Sequence, residues 1–332
     1  MTQPELPATS KKPARVVIVG VGGAGTNVLR QLAKKPVPEV RYVVCDSDQR
    51  FLGLCPPDVT AIEMREYGSH GFDGGGPAFG RRMAEDSFFK LKLKGGVKKA
   101  DLVILTAGMG AGTGGGASPV IASTLRETGA FVLAFVTTPF SFEGQKRRQQ
   151  AAEAVKQLGA QVDNIVVIDN ERILPRLDKG ATIAQSFSLV DEVTEKAILS
   201  VVQALNVPDG INIDPDGLKK VMRLPGRTLM AIGKGFNPQG PVMEAAVRAL
   251  ANPLNDADLS QAKGVLLSFH GGCRIGLVEY TEAMTFICRK LSPDAQLVFG
   301  VSQDREGGSP VDLTLIATGI EPPRRGLFGR RG

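Results

Sequence analysis

"GMGAGTGGGASP", residues 108–119, is the stretch on which the fold turns. Glycines 110, 112, 114, 115 and 116 free successive backbone N–H groups to turn toward one anion, and Thr113 adds a hydroxyl donor. Loops of this kind hold phosphate where a helix begins, and the proline at 119 predicts a helix start near that residue. The loop closes the apolar run "DLVILTAGMG" (101–110), the pattern of a strand buried on both faces. A second glycine loop lies upstream. "GVGGAG" (20–25) fits G-x-G-x-x-G, ends the apolar run "RVVIVGVGG" (15–23) and leads into the helical spacing of "TNVLRQLAKK". Asp46 closes the next strand about twenty residues on, so this loop alone reads as a dinucleotide-binding fingerprint and points to a nicotinamide-dependent oxidoreductase. Two glycine loops at neighbouring strand ends instead suit a single phosphate chain held from two sides.

Further apolar runs follow the same plan. "RYVVCDSD" (41–48), "AFVLAFVTT" (130–138) and "NIVVIDN" (164–170) each end in small polar or acidic residues and alternate with helical segments. That alternation predicts a parallel sheet covered on both faces, with ligands at the carboxyl ends of its strands. From 182 to 207, Ile183, Phe187, Val190, Ala197, Ile198, Val201 and Leu205 recur at spacings of three and four, which predicts one helix about 35–40 Å long. Beyond it, 264–272, 295–304 and 311–319 read as strands and 277–291 as a helix, a smaller α/β unit. The expected organisation is a leader over 1–14, a ligand-binding domain over 15–181, a central helix over 182–207, a second domain over 208–320 and a short basic tail over 321–332.

Composition narrows the function. With 332 residues, 42% hydrophobic and 22% charged, the chain can bury a sizeable core. No run has the roughly 18–20 apolar residues of a membrane span, and the N-terminus lacks an apolar signal core, so a cytoplasmic protein is expected. Cys45, Cys55, Cys273 and Cys288 have no metal-ligand spacing and read as small hydrophobes; no metal site is assigned to protein side chains. The net charge of +6 concentrates in "KLKLKGGVKK" (90–99) and "RRGLFGRR" (324–331). With no Trp and three Tyr to stack bases, nucleic acid is not the expected partner, and the first basic run reads as a solvated face.

The stretch "GMGAGTGGG" resembles the signature loop of the tubulin and FtsZ superfamily. The resemblance to FtsZ runs from Arg15 to Ile320 through "GVGGAGTN", "PFSFEGQKR" (139–147), "VIDNERIL" (167–174), the long helix, "GINID" and "LIATGI". It implies the tubulin/FtsZ fold: a Rossmann-like parallel-sheet GTP-binding domain joined by the central helix to a smaller C-terminal domain. It further implies GTP or GDP as ligand, Mg²⁺ beside the phosphates, and head-to-tail homopolymers. By resemblance Gly22, Gly23 and Asn27 belong to the first nucleotide loop, and Gly110, Ala111, Gly112, Thr113, Gly114 and Gly115 to the phosphate loop. Glu143 and Arg147 fall at the ribose, Asn170 at a sugar or base contact, and Phe187 against guanine. Glu192 is read as the carboxylate that accepts the two N–H groups on guanine's edge. Asp46, Ser47 and Asp48 stand where FtsZ has Asn-Thr-Asp, with Asp48 near the phosphates. "HGFDGGGPAFG" (70–80) keeps Gly74, Pro77 and Gly80 of the third loop but inserts Asp73.

Two further stretches depart from the principal division protein. The family's catalytic pattern Asn-x-Asp-x-x-Asp, presented to the nucleotide of the next subunit, reads here Asn212, Ile213, Asp214, Pro215, Asp216, Gly217. Its last acid is therefore glycine. Asp214 before Pro215 has the form of a helix N-cap and Asp216 complements the helix dipole, so Asp214 and Asn212 remain as catalytic candidates and Asp216 is a helix-starting charge. The tail "EPPRRGLFGRRG" sets Arg324, Arg325, Arg330 and Arg331 around Leu327 and Phe328, a composition for anionic headgroups with shallow apolar insertion, or for a membrane adaptor. These departures give the chain the look of an FtsZ-like paralogue implicated in membrane remodelling. The expected function is a filament at a membrane with reduced GTP hydrolysis, against a dynamic division-ring GTPase as the alternative.

Overall fold

In this computed structural model the residues described are 13–34, 36–65, 76–178, 180–206, 211–252, 254, 258–271, 276–303 and 310–321. The tail candidates from Arg324 to Arg331, the leader, Cys273 and most of the third loop lie outside them.

The described residues form two sheets. The first takes its strands from β1 (Val16–Val21), β2 (Val40–Asp46), β3 (Val59–Glu63), β4 (Leu102–Gly108), β5 (Phe131–Thr138) and β6 (Asn164–Asp169), in the order β3-β2-β1-β4-β5-β6, all parallel. The order reverses at β1, and the carboxyl ends around such a switch point form a ligand crevice. The helices α1 (Gly22–Leu32), α3 (Pro77–Glu85), α4 (Ser87–Gly96), α5 (Gly112–Arg126) and α6 (Gln145–Gly159), with the short α2 (Gln49–Leu52), connect them. The central strands are apolar throughout because both faces are covered: all six residues of β1 are buried, alternating between two separate core clusters.

Helix α7 (Ile183–Asn206) leads to the second unit. Its 24 residues, about 36 Å long, bury Val190, Val193, Ala197, Ile198, Val201 and Leu205 in one cluster with Ile18 and Phe135 of the first sheet and Met230, Leu266 and Ile316 of the second. The helix is the wedge that both sheets share. After it come α8 (Pro215–Met222), β7 (Arg227–Gly235), α9 (Pro241–Leu250), β8 (Gly264–Gly271), α10 (Leu277–Cys288), β9 (Gln296–Gln303) and β10 (Val311–Ile320). The second sheet is mixed, in the order β7-β10-β8-β9, with β10 antiparallel to both neighbours and β8 parallel to β9.

The apolar runs found β1, β2, β4, β5, β6, β8, β9 and β10, but β3, β7 and α9 carried no clear signal. β3 is an edge strand of five residues with two exposed positions, too short to show a period. The start of α5 also differs from expectation. It begins at Gly112, inside the glycine loop, and Pro119 lies within the helix. Proline's ring already holds φ near the helical value, so the site gives up one backbone hydrogen bond rather than the helix.

Candidate functional site

Two helix N-termini open into one crevice. Neither α1, whose N-cap is Val21, nor α5, whose N-cap is Ala111, has a side-chain cap or an acid in its first turn. Among the described residues no N-cap side chain or first-turn acid satisfies their first-turn N–H groups, and each helix brings the positive end of its dipole. Two glycines make the approach possible. Gly110 has φ +91°, and a Cβ there would lie 2.6 Å from the carbonyl oxygen of Arg147; Gly22 has φ +69°, with Gly114 N at 3.1 Å from where its Cβ would be. Both glycine loops therefore touch. Ser47 Oγ sits 3.3 Å from Thr113 Oγ1 and ties the end of β2 to the same point.

The crevice holds about 410 Å³, the scale of a small-ligand site. Gly22, Gly23, Ala111, Gly112, Thr113 and Gly114 form one end, and Asp46, Ser47, Asp48 and Arg50 one side. Asp48 caps α2 through Arg50 N and pairs with the Arg50 guanidinium at 2.6 Å, which holds its carboxyl below the usual range. Asp46 is buried and accepts from Asp48 N and Thr26 Oγ1, yet burial still pushes its carboxyl up.

Glu143, Arg147, Asn170, Phe187 and Asp191 line the other end. Glu143 is engaged on both oxygens, by Phe140 N at 2.8 Å and Arg147 Nη1 at 3.0 Å. Phe187 stands edge-on to Phe140 and Phe142, which stack on each other at 5.0 Å. Asn170 is 4% exposed and its Oδ1 has no partner among the described residues, an acceptor set into the wall of the crevice. A buried acceptor left open costs about 1–3 kcal/mol, which a ligand N–H or O–H recovers.

The carboxylate expected at the base end of the crevice, Glu192, is not on its wall, whereas its neighbour Asp191 is. Glu192 is on the exposed side of α7, paired with Lys196, and does not line the crevice. Each helical residue turns about 100°, so Asp191, four after Phe187, shares its face, whereas Glu192 is rotated well away. Burial, then Glu195, pushes the Asp191 carboxyl up to about 7. The i, i+4 relation to Phe187 was the signal that could have found it. Asn27, Gly110 and Gly115 are also off the crevice wall: Asn27 is half-buried on α1, and Gly110 and Gly115 pack behind the loop against α6. Thr137, Thr138 and Pro139 at the end of β5 complete the wall, at the carboxyl end of a strand where ligands were expected, though none was singled out by residue.

The family model described as "Tubulin/FtsZ family, GTPase domain" matches residues 15–178, and that described as "FtsZ family, C-terminal domain" matches residues 226–321. Together they span most of the chain. The chain belongs to the tubulin/FtsZ family. Among solved structures, an FtsZ dimer from M. jannaschii superposes with a TM-score of 0.87 at 28% identity, over 98% of this chain and 96% of that one. CetZ2 from Haloferax volcanii, as a GTPγS-bound protofilament, gives 0.76 at 19% identity over 94% and 95%, and CetZ from Methanosaeta thermophila 0.74 at 16% over 93% and 88%; both show a shared fold. The crevice therefore belongs to a tubulin/FtsZ GTPase domain.

The residues expected by resemblance to serve catalysis lie elsewhere, at the start of α8. Asn212, Asp214 and Asp216 are exposed there, and none of them lines the crevice of their own chain. Asp214 is the N-cap of α8, accepting from Gly217 N at 3.4 Å, and Pro215 is the first helical residue. A Cβ at Gly217 would meet Val298 Cγ1 at 3.5 Å and Asp214 Cβ at 3.9 Å, ordinary contact distances. Packing does not require glycine at this position.

Proposed function

We propose that the protein binds GTP or GDP in the crevice, assembles head to tail into filaments, and hydrolyses GTP slowly or not at all. The observation that carries the reading is the pairing of two uncapped helix N-termini, for the phosphates, with Asp191 beside Phe187, for the base. Guanine offers N1–H and an exocyclic amine along one edge, two donors that one carboxylate accepts; adenine offers no such pair. Glu143 and Arg147 border the sugar, and Asn170 accepts from it or from the base. Among the described residues no group of three or more His, Cys, Asp or Glu could hold a metal, so magnesium would be held largely by phosphate oxygens and water.

Assembly is supported by the same geometry. In phosphoryl transfer the protein positions the attacking water, and the acids for that task lie on the α8 loop, off the wall of their own crevice. A second copy has to supply them, and such a contact is heterologous and propagates as a filament. The M. jannaschii FtsZ dimer and the CetZ2 protofilament are precedents in the same fold. Slow turnover follows from Gly217, which leaves Asp214 occupied as a cap and Asp216 turned about 100° from the direction of residue 217. Arg324, Arg325, Leu327, Phe328, Arg330 and Arg331 attach the filament to an anionic membrane, each basic residue adding about 1 kcal/mol and the filament adding avidity. No described helix is long and apolar enough to cross a membrane.

Phosphate release measured beside electron microscopy, with GTP, GDP and a non-hydrolysable analogue, is the test. Filaments with GTP and little phosphate release are expected. Turnover that rises with polymer and disappears in Asp214→Ala would establish the dynamic GTPase instead.

A further inference from the structure

We infer that α4 is a docking face for an anionic lipid bilayer, separate from the tail. Phe89, Leu93 and Val97 recur every four residues and are buried in the core beneath the first sheet. That stripe is the inward face, and it needs no further apolar residue. Leu91, about 200° around the helix from Leu93, is 68% exposed on the opposite side. Lys90 and Lys94 flank it, Lys92 follows it, and Lys98 and Lys99 extend the basic row through the turn after the helix. Five lysines thus surround one protruding leucine.

The row carries an excess of positive charge over its acids: Glu127 pairs with Lys94 at 2.7 Å, Glu63 pairs with Arg65, and Asp86 caps the N-terminus of α4 through Phe89 N. A solvated face gains only helix propensity from a leucine at its crest. A bilayer surface rewards that arrangement, with lysines among the headgroups and a short apolar side chain at the acyl boundary. Duplex nucleic acid would use the lysines but has no partner for Leu91, and the chain has no Trp and only three Tyr to stack single-stranded bases.

The inference shares the membrane reading proposed for the tail but stands on different residues, so the two can fail separately. The full-length chain contains no tryptophan, which makes Leu91→Trp a unique reporter. With vesicles of phosphatidylglycerol and phosphatidylcholine its emission should shift to the blue, and with phosphatidylcholine alone it should not. In co-sedimentation, Lys90→Gln, Lys94→Gln and Lys98→Gln together should weaken anionic-vesicle binding about a hundredfold, at about 1 kcal/mol per lysine, with GTP affinity unchanged. Replacing the four tail arginines by alanine should leave the blue shift in place. An unshifted emission with vesicles that pellet the protein overturns the α4 inference and leaves the tail reading standing. A shift produced by duplex DNA and not by vesicles overturns it in favour of nucleic acid, and no pelleting at all overturns both membrane readings.

Discussion

The nucleotide crevice and the α8 loop each contain acids and a helix start, yet they are built in opposite ways. In the crevice the helix N-termini are left uncapped by side chains, Asn170 has an unused oxygen, and burial raises the Asp191 carboxyl to about 7. These three requirements go unmet by the described residues and are open to a ligand. At α8 every local requirement is met by the chain itself: Asp214 caps, Pro215 begins the turn and Asp216 faces the dipole. Unsatisfied groups mark a site better than the mere presence of acids does.

The strongest way to break this contrast is to remove the unmet group. Asp191→Asn loses a carboxylate that accepts two hydrogen bonds and presents an amide N–H₂ to guanine's own donors. At about 2–3 kcal/mol for a charged hydrogen-bonding partner, GTP affinity should fall about 50- to 100-fold, and the preference over ATP should shrink with it. Titration calorimetry with GDP and ADP reads both. The same residue gives a pH dependence of known sign. The free protein holds a proton on Asp191 below about pH 7, and the guanine contact proposed for it requires the release of that proton. Affinity should therefore drop about tenfold from pH 8 to pH 6 in the wild type and stay flat in Asp191→Asn. Stability moves in the opposite sense for the free chain: this carboxyl's folded-state pKa lies above the unfolded value, so the folded state gains from its proton at low pH and loses that gain as pH rises toward 7.

Gly217→Asp tests the other side. The site has room for a Cβ, no positive φ constrains it, and an acid in the first turn of α8 favours the dipole while removing a helical glycine. The variant should be as stable as the wild type or up to about 1 kcal/mol more so. Phosphate release by its filaments should rise about tenfold or more. Unchanged turnover with intact filaments would show that slow hydrolysis has another origin. Asp214→Ala removes the cap and should cost about 1 kcal/mol, a fall of a few degrees in Tm, because Gly217 N loses its acceptor.

How much of this was legible in the sequence follows the same division. Strands buried on both faces and the 24-residue α7 carry strong apolar signals and were found, whereas β3 is a five-residue edge strand with two exposed positions, and β7, also at an edge, is buried over Leu229–Gly233 but its apolar run is interrupted by Gly233 and Lys234. Glycine loops were legible because close backbone approach has few other causes. Asp191 was not, since neighbouring acids at 191, 192 and 195 differ only in rotation about the helix, and rotation is fixed by packing at Val190 and Val193.

That distinction gives the smallest predicted effect and a sharp one. Glu192→Ala removes an exposed carboxylate whose i, i+4 partner is Lys196. Such pairs contribute about 0.3–0.5 kcal/mol, and alanine's higher helix propensity offsets part of the loss. Tm should stay within a degree or two, and GTP affinity and its pH dependence should match the wild type. A large loss of affinity in Glu192→Ala, with Asp191→Asn unaffected, would mean that α7 is rotated by about one residue from the orientation described. The two adjacent acids thus form an internal control, one residue apart in sequence and on different faces of the helix.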